Sequence, residues 1–185
     1  MILIVGLGNP GVDYTGTRHN IGFAIIDQLV SSLGSGNKYT KFNSAAFNAS
    51  YTGVDLLAIK PQTFMNNSGS AVAAAIKSLG EDLKGMLVIH DDIDIDFGRI
   101  KIKSGGSTAG HRGLESIFEK TGNLDFDRLR FGVGRPPGRM KASDYVLRLF
   151  KKDEKEELDL LMGKSVDMIK DYIENGLDHT ANKYN

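Results

Sequence analysis

The chain has 185 residues, 41% of them hydrophobic and 25% charged, with a formal net charge of zero, which is the composition of an ordinary soluble globular protein. It is long enough to bury a core without staples, and its lack of cysteine excludes disulfides, thiolate catalysis and cysteine-based zinc sites. No apolar run approaches the roughly 18 residues of a membrane span, and the leading run Ile2–Val5 lacks the charged start of a signal peptide, so one cytoplasmic domain over 1–185 is expected.

Ile2–Val5 reads as a short buried strand. From Asn20 to Leu33, apolar residues at Ile21, Ile25, Leu29 and Leu33 form a helix face that stops at Gly34. Ala45–Tyr51 and Asp55–Ile59, separated by Thr52-Gly53, predict a hairpin. Asn67 or Ser68 can cap a helix through Leu79 that Gly80 ends, and Ala71, Ala73, Ala74 and Ala75 suggest its close packing on a sheet. Met86–Ile89, Arg99–Lys103 and Leu129–Val133 are further strands, with a helix from about Gly110 to Lys120 before the last. Gly134-Arg135-Pro136-Pro137-Gly138 reads as a mobile loop. Leu158, Met162, Val166, Ile169 and Ile173 make an amphipathic helix of about 20 residues. Strands alternating with helices imply a single α/β domain, its mixed, largely parallel central sheet flanked by helices on both faces.

Charge is unevenly spread along this frame. Arg99 to Arg112 holds four basic residues and no acid, and Arg128 to Lys152 holds eight against the lone Asp144. Such a basic middle is either a solvated surface or a positive face for an anionic partner.

The most telling stretch is Gly6-Leu7-Gly8-Asn9-Pro10-Gly11, running on to Arg18-His19-Asn20. It matches G-x-G-x-x-G after a strand, as a dinucleotide-binding fingerprint does. Pro10, however, removes an N–H from the loop and biases Asn9 away from helix, and helical pattern resumes only near Asn20. The acidic residue expected about 20 positions on, after a second strand, is also missing. Four polar segments follow strands: Asn9 with His19, Gln62–Asn66, His90-Asp91-Asp92, and Gly105–Gly110 with His111-Arg112-Gly113. Open α/β sheets bind ligands beyond the carboxyl ends of their strands, so all four are expected on one sheet edge.

Each member of that set also has a structural explanation. A histidine can be a surface residue, Asn66 or Asp91 can cap a turn, and the glycine run can be a simple connection. His19, His90 and His111 invite a metal reading, but no H-x-x-x-H pair supports one, and no metal is expected. His19 with Asp91 is the pairing that a general base needs, because a carboxylate on one ring nitrogen fixes the tautomer and raises the basicity of the other. With no cysteine and no G-x-S-x-G elbow, a base without a nucleophile points to direct attack by water. Asn9 and Asn66 suit an amide-rich substrate or a developing oxyanion.

Gly6–Gly11, Tyr14, Thr17-Arg18-His19-Asn20, Pro61–Gly69, His90-Asp91-Asp92 and Gly110-His111-Arg112-Gly113-Leu114 resemble the successive motifs of bacterial peptidyl-tRNA hydrolases, in order and spacing over nearly the whole chain. The resemblance implies hydrolysis of the ester between a peptide and the 3′ end of tRNA, recycling prematurely released peptidyl-tRNA without metal or cofactor. By the same resemblance, His19 would activate water and Asp91 would hold it in its basic form. Asn9 would contact the peptide, and Asn66 would position the substrate and the oxyanion in a cleft shaped by Met65 and Phe64. Tyr14 and His111 would face the 3′-terminal nucleotides, and Lys103 with Arg130 would hold the 5′-phosphate. Arg112 stands where many family members carry Asn; it can bind phosphate but cannot accept a hydrogen bond. A monomer is expected. The alternative is a non-catalytic RNA- or protein-binding relative of the same fold.

Overall fold

The computed structural model describes residues 1–34 and 38–185. Its strands are β1 (Ile2–Gly6), β2 (Lys38–Lys41), β3 (Ser44–Tyr51), β4 (Val54–Pro61), β5 (Gly85–Asp92), β6 (Ile100–Ser104) and β7 (Asp127–Gly132). Its helices are α1 (Ile21–Ser32), α2 (Ser68–Leu79), α3 (Arg112–Thr121), α4 (Ala142–Val146) and α5 (Lys155–Tyr184). The strands form one sheet in the order β2-β3-β4-β1-β5-β7-β6.

The centre of the sheet is parallel, with β4, β1, β5 and β7 side by side. Leu3, Ile4 and Val5 of β1 are wholly buried, which is the continuous apolar run a strand needs when both of its faces are covered. On one face, Ile25, Ile26 and Leu29 of α1 and Val166 and Ile169 of α5 pack against Ile4, Leu87 and Ile89. On the other, Val72 and Ala75 of α2 and Leu114 and Ile117 of α3 pack against Leu3, Val5 and Val88. The expected mixed sheet with helices on both faces is therefore present.

Several elements differ from expectation for identifiable reasons. The edge strand β2, Lys-Tyr-Thr-Lys, buries no side chain and so carries no apolar signal. The short helix α4 was not expected either, and it buries only Val146. Helix α5 runs for 30 residues rather than about 20, interrupted at Gly176 by a non-helical φ of 81°. Neither Asn67 nor Ser68 makes a capping bond to α2, because a 3-10 turn at Met65–Asn67 leads into the helix. Of the four alanines expected to pack, only Ala71 and Ala75 are buried.

The largest correction concerns β6. It runs antiparallel to β7, so its carboxyl end points away from the edge where β1, β4 and β5 end. His111 still reaches that edge, because Gly105–Gly110 runs back along the sheet. Arg128, 1% exposed, fixes this segment by donating to the carbonyls of Ser107 (2.7 Å) and Gly106 (2.6 Å).

Helix α2 crosses α3 at Gly69, where a Cβ would lie 1.9 Å from the Ser116 carbonyl oxygen. Gly69→Ala is expected to lower the unfolding free energy by about 2 kcal/mol through overpacking, read by urea titration. Gly163, inside α5, has nothing nearer than 3.9 Å. Gly163→Ala should raise stability by roughly 0.5–1 kcal/mol in the same titration.

Candidate active site

Strand β5 reaches further than its apolar run Met86–Ile89, taking in His90, Asp91 and Asp92, which are 3%, 2% and 7% exposed. Polar groups so deep cost free energy unless they are paired, and these side chains are bonded except at His90 Nε2, which is buried without a partner. Asp91 Oδ1 accepts from His19 Nδ1 at 2.8 Å and from His111 Nε2 at 3.0 Å. His90 Nδ1 donates to the Asp91 carbonyl at 2.7 Å. Asp92 Oδ2 accepts from Arg130 Nε at 2.8 Å.

The two imidazoles arrive from opposite sides. His19 lies in a 3-10 turn, Arg18–Asn20, directly before α1. That helix sits against the strand ends so tightly that a Cβ on Gly22 would lie 2.5 Å from Leu7 N and 2.6 Å from the Ile89 oxygen. Glycine is required there by close approach, and the approach brings His19 beside Asp91. His111 caps α3, its Nδ1 accepting from Gly113 N at 3.1 Å.

These partners determine all three tautomers. A backbone N–H can only donate, so His111 Nδ1 bears a lone pair and Nε2 the proton given to Asp91. A backbone carbonyl can only accept, so His90 carries its proton on Nδ1. His19 gives its Nδ1 proton to Asp91, leaving Nε2 as the basic nitrogen of a ring that lines the cleft.

Burial alone would push the Asp91 carboxyl up, but His19 and His111 outweigh it and hold the group well below the usual carboxylate range. His90 is pulled down to about 3, by burial first and then by His111, so it is neutral at physiological pH. His19, Asp91 and His111 each offer a ligand-type atom within 4.8 Å of the others. Hydrogen bonds account for all three, since a nitrogen donating its proton to Asp91 presents no lone pair to a cation.

Asn9 and Asn20 brace one another. Asn20 Oδ1 accepts from Asn9 N, and Asn20 Nδ2 donates to the Asn9 carbonyl, both at 2.9 Å. Asn9 Oδ1 accepts from Met65 N at 2.7 Å, which leaves its Nδ2 as a donor on the cleft side.

The cleft has a volume of about 370 Å³. Asn9, Tyr14, His19, Phe64, Met65, Asn66, Asp91, His111 and Arg112 all line it, so nine of the expected site residues come together. Tyr14 and Phe64 meet edge to face at 6.1 Å, and Phe64 stays 55% exposed. The far wall is α4 with Leu147.

Lys103 and Arg130 lie outside the cleft lining. They project from the α2/α3 face of β6 and β7, where Lys103 stands opposite Arg128 and Arg130 opposite Lys101. Partial burial, then the charges of Arg130 and Arg128, pull the Lys103 ammonium below its ordinary value, a sign of cations held close together.

Asn20, His90 and Arg128 were missed as supports of the site. Asn20 and His90 stood inside the motifs, but a bracing role depends on contacts across the fold. Arg128 sat in a basic run that read as surface.

A family model described as peptidyl-tRNA hydrolase matches residues 3–185. A peptidyl-tRNA hydrolase of Thermoanaerobacter sp. (strain X514) is 40% identical over 185 residues, covering all of both chains. That of Geobacter metallireducens is 44% identical over 183 residues, covering 99% of this chain and 94% of its own. The crystal structure of peptidyl-tRNA hydrolase from Acinetobacter baumannii superposes with a TM-score of 0.90 at 32% identity, covering 98% of this chain and 93% of that one. The chain belongs to the peptidyl-tRNA hydrolase family. The family match over residues 3–185 takes in every residue that lines the cleft, from Asn9 to Leu147.

The neutral His90 has a measurable consequence. The unfolded chain takes up a proton at this histidine below about pH 6.5, whereas the folded chain does so only near 3. Stability should therefore fall as pH drops across that window, by up to about 1.4 kcal/mol per pH unit. His90→Asn keeps a donor near the Nδ1 position without the titration, and urea titrations at several pH values should show a flatter dependence.

Proposed function

We propose that this chain hydrolyses the ester bond between a peptidyl (N-blocked aminoacyl) group and the 3′ end of tRNA, with His19 as general base. The observation that carries this reading is the His19–Asp91 hydrogen bond at 2.8 Å in a cleft wall, which leaves the second nitrogen of a tautomer-fixed imidazole free to take a proton. Water gives that proton to His19 Nε2 as its oxygen attacks the ester carbonyl. The tetrahedral intermediate then collapses, and the proton returns from His19 to the departing ribose oxygen. Asp91, already ionised, stabilises the imidazolium that forms between these steps.

The other residues take roles that their hydrogen bonding permits. Asn9, its oxygen committed to Met65 N, offers an N–H to a peptide carbonyl. Asn66 is exposed on the cleft, where its amide can hold the substrate and the developing oxyanion. Tyr14 and His111 would face the 3′-terminal nucleotides. Both nitrogens of His111 are already engaged, so its contact is through the ring face. Arg112 would meet a phosphate at the cleft mouth. Lys103 and Arg130 would hold the 5′-phosphate, which suits a cluster of cations with Asp92 as the acid tied to it.

Every residue in this scheme comes from one chain, so a monomer suffices. Among the described residues no helix is long and apolar enough to cross a membrane. A cytoplasmic enzyme of translation fits this reading.

His19→Ala should reduce turnover of N-acetyl-aminoacyl-tRNA by at least about 100-fold with the fold intact by circular dichroism. Turnover near that of the parent would remove His19 as the base. Lys103→Ala combined with Arg130→Ala should raise KM for full-length tRNA substrates and flatten its salt dependence. KM for a minimal aminoacyl-nucleotide fragment should stay unchanged, and equal effects on both substrates would dismiss the 5′-phosphate role.

A further inference from the structure

Arg18 stands next to the proposed base, and it is among the largest side chains fully buried in the protein, at 2% exposure. Both terminal nitrogens of its guanidinium are held by one later stretch of chain, while the buried Nε has no hydrogen-bond partner. One terminal nitrogen donates to both Glu154 carboxylate oxygens, at 3.0 and 2.7 Å. The other donates to the Leu149 carbonyl at 2.5 Å and the Arg148 carbonyl at 3.4 Å. The rings of Tyr145 and Phe150 lie 4.6 and 4.9 Å from the guanidinium carbon. The backbone joins in, with Arg18 N donating to Arg148 O at 3.1 Å and Thr17 bridged to Leu149.

The stretch that grips Arg18 continues directly from the far wall of the cleft. Ala142, Ser143, Val146 and Leu147 line that wall, and Tyr145 in the same helix donates its hydroxyl to the Val133 carbonyl at 2.7 Å. The wall, the end of the sheet and the His19 turn thus share one junction. Nothing in the His19–Asp91 chemistry calls for a buried guanidinium one residue away. A surface arginine would satisfy solubility, and an apolar residue would fill the space without desolvating a charge. A forked cation bonded to a carboxylate and two carbonyls gives something that neither could, a fixed direction for the turn that carries His19.

We propose that the Arg18–Glu154 pair is a positioning device that sets the orientation of His19 and ties it to the far wall of the cleft. The proposal rests on the reading of His19 as the base. It assigns Arg18 and Glu154 no contact with substrate. Loosening the pair should therefore lower kcat and leave KM nearly alone, because binding groups such as Asn66 and Phe64 lie on other elements.

The test uses the full chain with Glu154→Gln, Glu154→Asp and Arg18→Lys, assayed on N-acetyl-aminoacyl-tRNA well below each variant's melting temperature. His19→Ala and the parent serve as controls. Glu154→Gln and Arg18→Lys are expected to lose roughly tenfold or more in kcat with KM within about twofold. Glu154→Asp should recover part of the loss. The Nδ1–H resonance of His19 in proton NMR reports its bond to Asp91 directly, and it should shift or broaden in the two impaired variants. Should one variant fail to fold, the others carry the same comparison, since each alters the pair differently. Parent-level kcat with an unmoved His19 resonance in the folded variants would overturn the proposal and leave the pair a stabilising contact only. An inactive parent, or an active His19→Ala, would instead defeat the reading on which it rests.

Discussion

A carboxylate buried to 2% exposure is tolerable only while hydrogen-bond donors reach it, and at Asp91 the donors are two imidazoles from distant parts of the chain. Without them the charge would cost several kcal/mol or be lost to protonation. The ionised state therefore requires that the end of β5, the turn before α1 and the cap of α3 converge within hydrogen-bond reach. Much else serves that convergence. Gly22 lets α1 touch the strand ends, Arg128 pins the segment leading to His111, and Asn20 ties the His19 turn to Asn9. The same carboxylate that orders these pieces fixes which nitrogen of His19 keeps its lone pair, so folding and the proposed chemistry draw on one group.

The parallel core was legible because burial on both faces leaves continuous apolar runs such as Leu3-Ile4-Val5, and because glycines such as Gly80 stop helices. Part of the cleft was legible too, since Asn9, Met65, Asn66 and Asp91 lie at or just beyond the carboxyl ends of parallel strands, where side chains of an open sheet converge. What escaped notice lacked a local signature. Strand β2 is held by pairing to β3, and nothing in Lys-Tyr-Thr-Lys announces it. The direction of β6 is decided by its partner β7, since an edge strand alternating Ile with Lys suits either orientation. Arg18 stands inside a motif and Arg128 inside a basic run, but neither shows its structural role locally, because their partners lie up to 136 positions away.

The glycine run after β1 also changes meaning when its contacts are known. Gly6 and Gly8 have no unusual backbone angle; a Cβ at Gly6 would strike the Gly22 carbonyl at 2.3 Å, and one at Gly8 the Phe23 ring at 2.7 Å. Gly11 alone of the three needs its positive φ, of 107°. The motif that resembles a phosphate cradle is thus largely a helix–strand contact surface. Its product is the placement of Asn9 and His19 on one wall.

The reversed edge strand has a geometric corollary. Ser104 pairs with Asp127, whereas Asp91, the partner of His111, pairs with Phe131, four residues further along β7. Gly105–Gly110 must therefore climb about 13 Å at strand spacing before His111 can begin α3. Six residues cover that rise with modest slack, since an extended chain spans at most about 3.6 Å per residue. The connection works as a tether of set length. Lengthening it is a matter of surface looping, but shortening it would use up the slack and then lift His111 from Asp91, leaving His19 as sole donor to a buried charge.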